Sequence, residues 1–378
     1  MSGIKTNVSY IDTARGIAIL MVILVHTAQS IKNESFLLSA FSGFGQMGVQ
    51  LFFVASAYTL CQSWDRRKFE INKVLNFGIR RFFRIAPVYY LGIFLYFFVS
   101  MFENYYRNGV LAAAESYDPL NIIVNLLFLN GLYPPANNTI VPGGWSIGTE
   151  MIFYALFPIL FALHEKFFSR RGLIFVISVF AFVASFAILS LINNLTGYSL
   201  SNNNFLYFNI VTQLPVFLLG MLYWWAKEKL DFSPGLIVSL LGAVFFACSF
   251  VYFWYSSILN AFLFVSFCAA VLFCFLIRVF ELIPAINLSI FQRIGRVSYS
   301  MYLFHFIFAH KLIQLLNHEF RLEDYFNSDL ILIVSYAITV FLTYHVANFS
   351  EKYIERRFID FGRILIDRRG ALMAARSI

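Results

Sequence analysis

Apolar runs of about twenty residues recur from residue 10 to residue 349, separated by short polar stretches. A run of that length, wound as a helix at ~1.5 Å per residue, crosses the ~30 Å hydrocarbon core of a bilayer. Backbone in lipid must satisfy its own hydrogen bonds, so the pattern dictates an all-α, polytopic integral membrane protein. The runs fall at about 10–31, 44–63, 86–103, 145–163, 172–192, 205–226, 235–254, 257–277, 297–316 and 329–349, which makes about ten transmembrane helices. Composition agrees, with 60% hydrophobic and 13% charged residues, where soluble domains carry about 25% charged. The first run is a full span that includes Arg15, too long for a signal-peptide core, so no cleavable leader is expected.

The net charge of +8 does not point to nucleic acid, because the basic residues cluster in short loops between spans. That is the pattern of cytoplasmic loops. Charge also decides an ambiguous stretch near 121–131, which is too short to cross. If it crossed, the basic segment from His164 to Arg171 would face outward. If it does not, both termini are cytoplasmic and only Lys32, Arg107, Lys311 and Arg321 of 28 Lys and Arg lie outside. The topology is therefore N-in and C-in, with a re-entrant or interfacial segment near 121–131. One domain is expected over 1–378. Its core covers 10–350, and a basic amphipathic cytoplasmic tail, 351–378, is expected to lie on the inner leaflet. The four cysteines, Cys61, Cys248, Cys268 and Cys274, lack metal-ligand spacing and read as small buried hydrophobes.

Against this apolar background a few polar residues stand out. Arg15 and His26 are eleven residues apart in the first run. Eleven steps of ~100° bring both onto one stripe, ~16 Å apart along the axis. Two ionisable groups on one stripe require that it face protein or water. In the second run Gly45 and Gly48 suit close helix approach, and Ser56 falls near mid-membrane. Arg80, Arg81 and Arg84 precede Pro87, which is placed to open the third span at its first turn. Ordinary inner-face charge accounts for Arg80 and Arg81 as well as function does. Arg84 sits one turn deeper, where a guanidinium suits a phosphate-bearing cytosolic ligand. Glu150 lies five residues inside the fourth run and His26 five residues from the outer end of the first, so the two match in depth. A carboxylate beside an imidazole fixes its tautomer and raises its basicity. Ser298, Tyr302 and His305 share one side of the ninth run, where helix packing and a second functional histidine are both open readings. His164, His310, His318 and His345 lack such surroundings and read as loop or packing residues.

Together these motifs resemble the membrane acyltransferase 3 family. The resemblance rests on Arg15 with His26, on Gly48 to Tyr58, on Arg80 to Pro87, on Trp145 to Tyr154 and on Ser298 to His305, in that order along residues ~10–350. Ala57 stands where the family usually has glycine. Some members carry a fused esterase-like domain; a stand-alone form is expected here.

The resemblance implies an acyltransferase that moves an acyl group, usually acetyl, from cytosolic acyl-CoA as co-substrate, with no metal and no permanently bound cofactor. The implied acceptor is a hydroxyl of a cell-surface carbohydrate such as an O-antigen or exopolysaccharide, or a lipid-linked glycan, met at the outer side. Its implied setting is the bacterial cytoplasmic (inner) membrane, with other polysaccharide-biosynthesis membrane proteins as partners. Combined with the residue reading, this casts His26 as general base and Glu150 as its orienting carboxylate. Arg15, Arg80, Arg81 and Arg84 would bind the donor. Ser56, Trp145, Ser146, Tyr299, Tyr302 and His305 would line the site, with Trp145 at the mouth for the acceptor. A proton-coupled transporter or flippase is the alternative, since intramembrane Arg, His and Glu serve that class too. Against it, the chain shows no inverted repeat.

Overall fold

The computed structural model describes residues 9–32, 34–167, 173–198, 203–231, 233–258 and 260–376. Among these residues the secondary structure is helical throughout, with no strand. The principal helices are α1 (Ser9–Ala28), α2 (Gly48–Arg66), α3 (Lys73–Asn108), α4 (Pro119–Leu126), α5 (Gly144–Phe167) and α6 (Leu173–Thr196). They continue with α7 (Ile210–Lys229), α8 (Leu236–Trp254), α9 (Ala261–Leu282), α10 (Ser289–Arg296) and α11 (Ser298–Phe306). The last three are α12 (Ile313–Phe320), α13 (Ser328–Ser350) and α14 (Arg356–Arg376). A π-helical segment, Ile307–Leu312, joins α11 to α12, and another, Glu351–Glu355, joins α13 to α14. Ser169, Arg170 and Arg171 of the expected inner loop, and residues 199–202 of an expected outer loop, lie outside the described residues.

Among the described residues nine helical segments are long and apolar enough to cross a membrane, where the sequence suggested about ten. The difference is the run 297–316. It is helical, but His305, His310 and Lys311 within it lower its apolarity. The short stretch near 121–131 forms only the eight-residue α4 and a 3-10 turn at Leu129–Gly131, as its length required. Asp118 caps α4 by accepting from the Asn121 N–H (3.0 Å), and Pro119 takes the first turn.

The described chain forms two compact units, one of residues 1–59 and 216–347, the other of residues 60–215 and 348–378. In the first, α1 is an enclosed axis: Ile11, Ala14, Ala18, Ile19, Val22 and Ile23 are all buried to 1% exposure or less. Its neighbours approach at backbone distance. A Cβ added to Gly16 would stand 2.1 Å from the Phe291 carbonyl oxygen of α10, and one on Gly295 would stand 1.9 Å from that of Asp12. Gly45 and Gly48 meet the Met21 and Ala18 carbonyls in the same way, as their spacing predicted. Beyond α1 the Ser30 hydroxyl donates to the Ala309 carbonyl (2.8 Å), tying the helix end to the π segment. Of the cysteines, Cys61 and Cys268 are buried, whereas Cys248 is exposed on α8, against the sequence reading.

In the second unit α3 runs 36 residues, so Pro87 lies inside it and does not open it. The helix reaches back because α14 packs along its first half: Phe361 meets Phe83 ring to ring (5.3 Å) and Gly362 lies against the same side chain. The tail thus packs on α3. A knot of asparagines precedes α5. Tyr89 donates to Asn125 Oδ1 (2.7 Å), Asn125 to the Ala136 carbonyl (3.2 Å), Asn130 to the Gly144 carbonyl (3.0 Å), and Asn137 to the Asn130 carbonyl (2.9 Å).

Because the Gly295 contact is with backbone, Gly295→Ala must part α1 from α10. A loss of about 1–3 kcal/mol or more is expected. Thermal melts in detergent test this against Gly78→Ala, whose Cβ would meet nothing within 4 Å. Equal melting of the two variants would refute the close-packing account.

Candidate functional site

His26 lies on the last turn of α1, and the first unit surrounds it with rings from α11 and the π segment. Its ring centroid is 5.2 Å from His305, 5.6 Å from His310 and 4.3 Å from Phe306. His26 Nδ1 bonds Gln29 Oε1 at 3.0 Å. An amide oxygen only accepts, so Nδ1 carries the hydrogen and Nε2 keeps its lone pair. The orienting group observed at this nitrogen is therefore an amide three residues on, where the sequence suggested a carboxylate. His305 is fully buried, its Nδ1 donating to the Tyr302 carbonyl at 2.7 Å. The Ser30 N–H turns to the Thr27 carbonyl (3.1 Å), and the His310 ring bonds the His26 backbone. Tyr302 is buried and stands 5.7 Å ring to ring from His305, whereas Tyr299 is partly exposed. Among the described residues no group of three His, Cys, Asp or Glu has the geometry to hold a metal.

The opposite end of α1 carries a second polar cluster. Arg15 Nη2 donates to Thr59 Oγ1 (3.1 Å), one turn beyond the buried Ser56 on α2. Nearby, Lys227 Nζ meets Glu281 Oε1 at 2.5 Å and reaches the hydroxyls of Tyr58 (3.3 Å) and Tyr10 (3.4 Å), while Arg278 grips Glu281 Oε2 (2.6 Å). The stripe from Arg15 to His26 thus joins a cationic end to an imidazole end, ~16 Å apart at helical rise. Sequence reading did not find Lys227, Arg278 or Glu281, since α7 and α9 place them beside residues some two hundred positions earlier.

In the second unit the arginines of α3 have different surroundings. Arg80 forms a two-pronged pair with Glu70, at 2.7 and 2.8 Å. Arg81 lies over the rings of Phe77 (5.6 Å) and Tyr154 (5.7 Å), and Arg84 is exposed. Arg67 Nη1 bonds Ser63 Oγ (2.6 Å). Burial, then the charge of Arg80, presses the Arg67 guanidinium below its ordinary value; Glu70 opposes this, and Arg363 and Arg66 add to it. Arg66, Arg67, Arg80 and Arg363, with Glu70 paired to Arg80 and Asp360 to Arg363 (2.7 Å), leave a net positive cluster. Arg67 and Arg363 escaped the sequence reading because the docking of α14 on α3 brings Arg363 there.

Glu150 on α5 accepts a short hydrogen bond from the Tyr154 hydroxyl, so Tyr154 links Glu150 to Arg81 and two separate motifs meet. Trp145 is 6% exposed and stacks on Phe208 at 4.3 Å. Phe208 covers one face of its ring. Ser146 is buried and donates to the Gly143 carbonyl (3.0 Å).

A family model described as an acyltransferase domain matches residues 8–347. Among curated proteins, O-acetyltransferase OatA of Staphylococcus aureus strain NCTC 8325 / PS 47 is 26% identical over 369 residues, and the OatA of strain COL is equally similar. The alignment covers 91% of this chain and 56% of either relative, so the chain spans a little over half their length. No solved structure matches.

The Glu70 carboxyl offers a test of the arginine cluster. Burial pushes it up, but hydrogen bonds from Arg80 and Asn76 win and hold it below its ordinary 4.5. A carboxyl depressed in the fold contributes stability above its unfolded value and loses it as pH falls through the folded one. Glu70→Gln is therefore expected to melt below the parent at neutral pH, with the gap closing as pH drops below 4.5. A gap that persists in acid would show that the pair does not carry the effect.

Proposed function

The chain belongs to the acyltransferase family, and from that premise we propose that it is an integral-membrane O-acetyltransferase. Its donor is cytosolic acetyl-CoA and its acceptor a hydroxyl of a cell-surface carbohydrate or lipid-linked glycan, at the outer face of a bacterial cytoplasmic membrane. The observation that carries the reading is His26, whose Nδ1–H is committed to Gln29 and whose Nε2 keeps a lone pair at the end of an enclosed helix. The similarity to an O-acetyltransferase supports the acyl group chosen.

In this mechanism the acceptor hydroxyl gives its proton to His26 Nε2 as its oxygen attacks the thioester carbonyl. The new C–O ester bond forms, the C–S bond breaks, and the departing thiolate takes the proton back from the imidazolium. Gln29 holds the ring so that Nε2, not Nδ1, meets the hydroxyl. Arg84 and the cluster of Arg67, Arg80 and Arg363 attract the phosphates of coenzyme A, with Arg81 beside them and Arg15 as a further anchor. Glu150, held by Tyr154, is a second residue required for turnover. Ser56, Ser146, Tyr299 and Tyr302 shape the surroundings, and Trp145 acts through its packing on Phe208.

The deciding experiment measures free thiol released from acetyl-CoA by the full chain in lipid vesicles, alongside the acetyl content of surface polysaccharide in cells with and without the gene. His26→Ala is expected to lower turnover by about 10²–10⁴-fold with normal membrane insertion. Near-normal turnover would overturn the assignment. Arg84→Ala is expected to raise the KM for acetyl-CoA by about tenfold, the size of one charge-assisted hydrogen bond, with expression unchanged. An unchanged KM would remove Arg84 from the donor site.

A further inference from the structure

His26 and His305, neighbours in the first unit, are in the same state. His26 and His305 both commit Nδ1, to Gln29 and to the Tyr302 carbonyl, so both rings present Nε2 as a lone-pair acceptor. His305 is fully buried and its Nε2 has no hydrogen-bond partner. Buried polar atoms without partners are uncommon and costly, and each asks for a donor that comes from elsewhere. A proton on His26 would supply such a donor. Two neutral acceptors repel; an imidazolium beside a neutral imidazole forms an N–H···N bond. A centroid separation of 5.2 Å leaves room for the two rings to share such a bond at about 3 Å when their Nε2 atoms face each other.

We propose that His305 is a positioning residue for the acyl transfer, its Nε2 accepting a hydrogen bond from the His26 imidazolium while the proton is in transit. The proton arrives from the acceptor hydroxyl, stays on His26 Nε2 and leaves to the thiolate, so His305 takes no net proton. Among the described residues the other charged or titratable groups recorded around the pair are His310, with Lys311 acting on it, and Tyr302, none of them a carboxylate. The π segment contributes to the arrangement. An α-helix turns five residues through ~500°, which would leave His305 and His310 ~140° apart. Bonds of the i→i+5 kind bring such residues toward one line, and both rings meet His26. The proposal rests on the reading of His26 as the base.

The test separates the two nitrogens of His305. Asparagine places its amide where Nδ1 stands, so His305→Asn keeps the bond to the Tyr302 carbonyl and loses the Nε2 acceptor. Glutamine reaches the Nε2 position and restores an acceptor there. With the full chain in vesicles and acetyl-CoA as the probe, His305→Asn is expected to lower kcat by about 10- to 100-fold at unchanged KM, and His305→Gln to stay within a few-fold of the parent. If Asn turns over as well as Gln, or both are equally inactive, the Nε2 role is wrong. Absence of thiol release by the parent itself would instead strike the acetyltransferase reading. A second readout is independent of turnover: with 15N-labelled histidine in the full chain, the Nε2 resonances of His26 and His305 shift over one shared pH interval. Separate intervals would overturn the proposal.

Discussion

Backbone-to-backbone approach onto α1 is the constraint on which the described architecture of the first unit depends. Without an apolar–aqueous contrast between helices in lipid, association rests on close packing, and small residues allow it. Gly16, Gly45, Gly48 and Gly295 do this on a helix whose inward residues, Ala14, Ala18 and Ile19, are fully buried. An enclosed α1 means that Arg15 and His26 are offered to protein groups. Arg15 finds Thr59, and His26 finds the rings of His305, His310 and Phe306.

The chemistry of His26 follows from what its neighbours are not. The hydrogen-bonded partner of its Nδ1 is an amide, which fixes the tautomer without adding charge. The aromatic ring of Phe306 at 4.3 Å and the buried His305 keep the surroundings poor in donors. Such a setting leaves the Nε2 lone pair available to a hydroxyl. In the second unit the electrostatics are opposite: four arginines, Arg66, Arg67, Arg80 and Arg363, are set against the carboxylates of Glu70 and Asp360, and the excess positive charge favours anions.

Much of this was legible before any coordinates. Apolar run length predicted a helical membrane protein, and nine helical segments among the described residues meet that requirement. The eleven-residue step put Arg15 and His26 on one stripe, and the glycine spacing anticipated close helix approach, which the structure shows to be onto α1. The shortness of 121–131 excluded a crossing, and a short capped helix stands there. Other features could not be read. Pro87 marks a possible helix start by its own chemistry, yet α3 continues through it because α14 supports the preceding turns. The stacking of Trp145 on Phe208, some sixty positions later, has no signal in the sequence. His310 read as a packing residue for want of polar neighbours in sequence, and the π segment, which alters helical periodicity, brings its ring to His26.

By itself, then, the sequence determined the class of fold, the axis of the first unit and the residue types that chemistry needs, since run length, helical period and side-chain charge are local properties. The tertiary structure alone decided which groups those residues meet. Glu70 at Arg80, Tyr154 at Arg81, Glu281 at Lys227 and the π turn beneath His310 depend on bends and helix docking. Those are set by how backbones pack, and no periodicity along one chain records them.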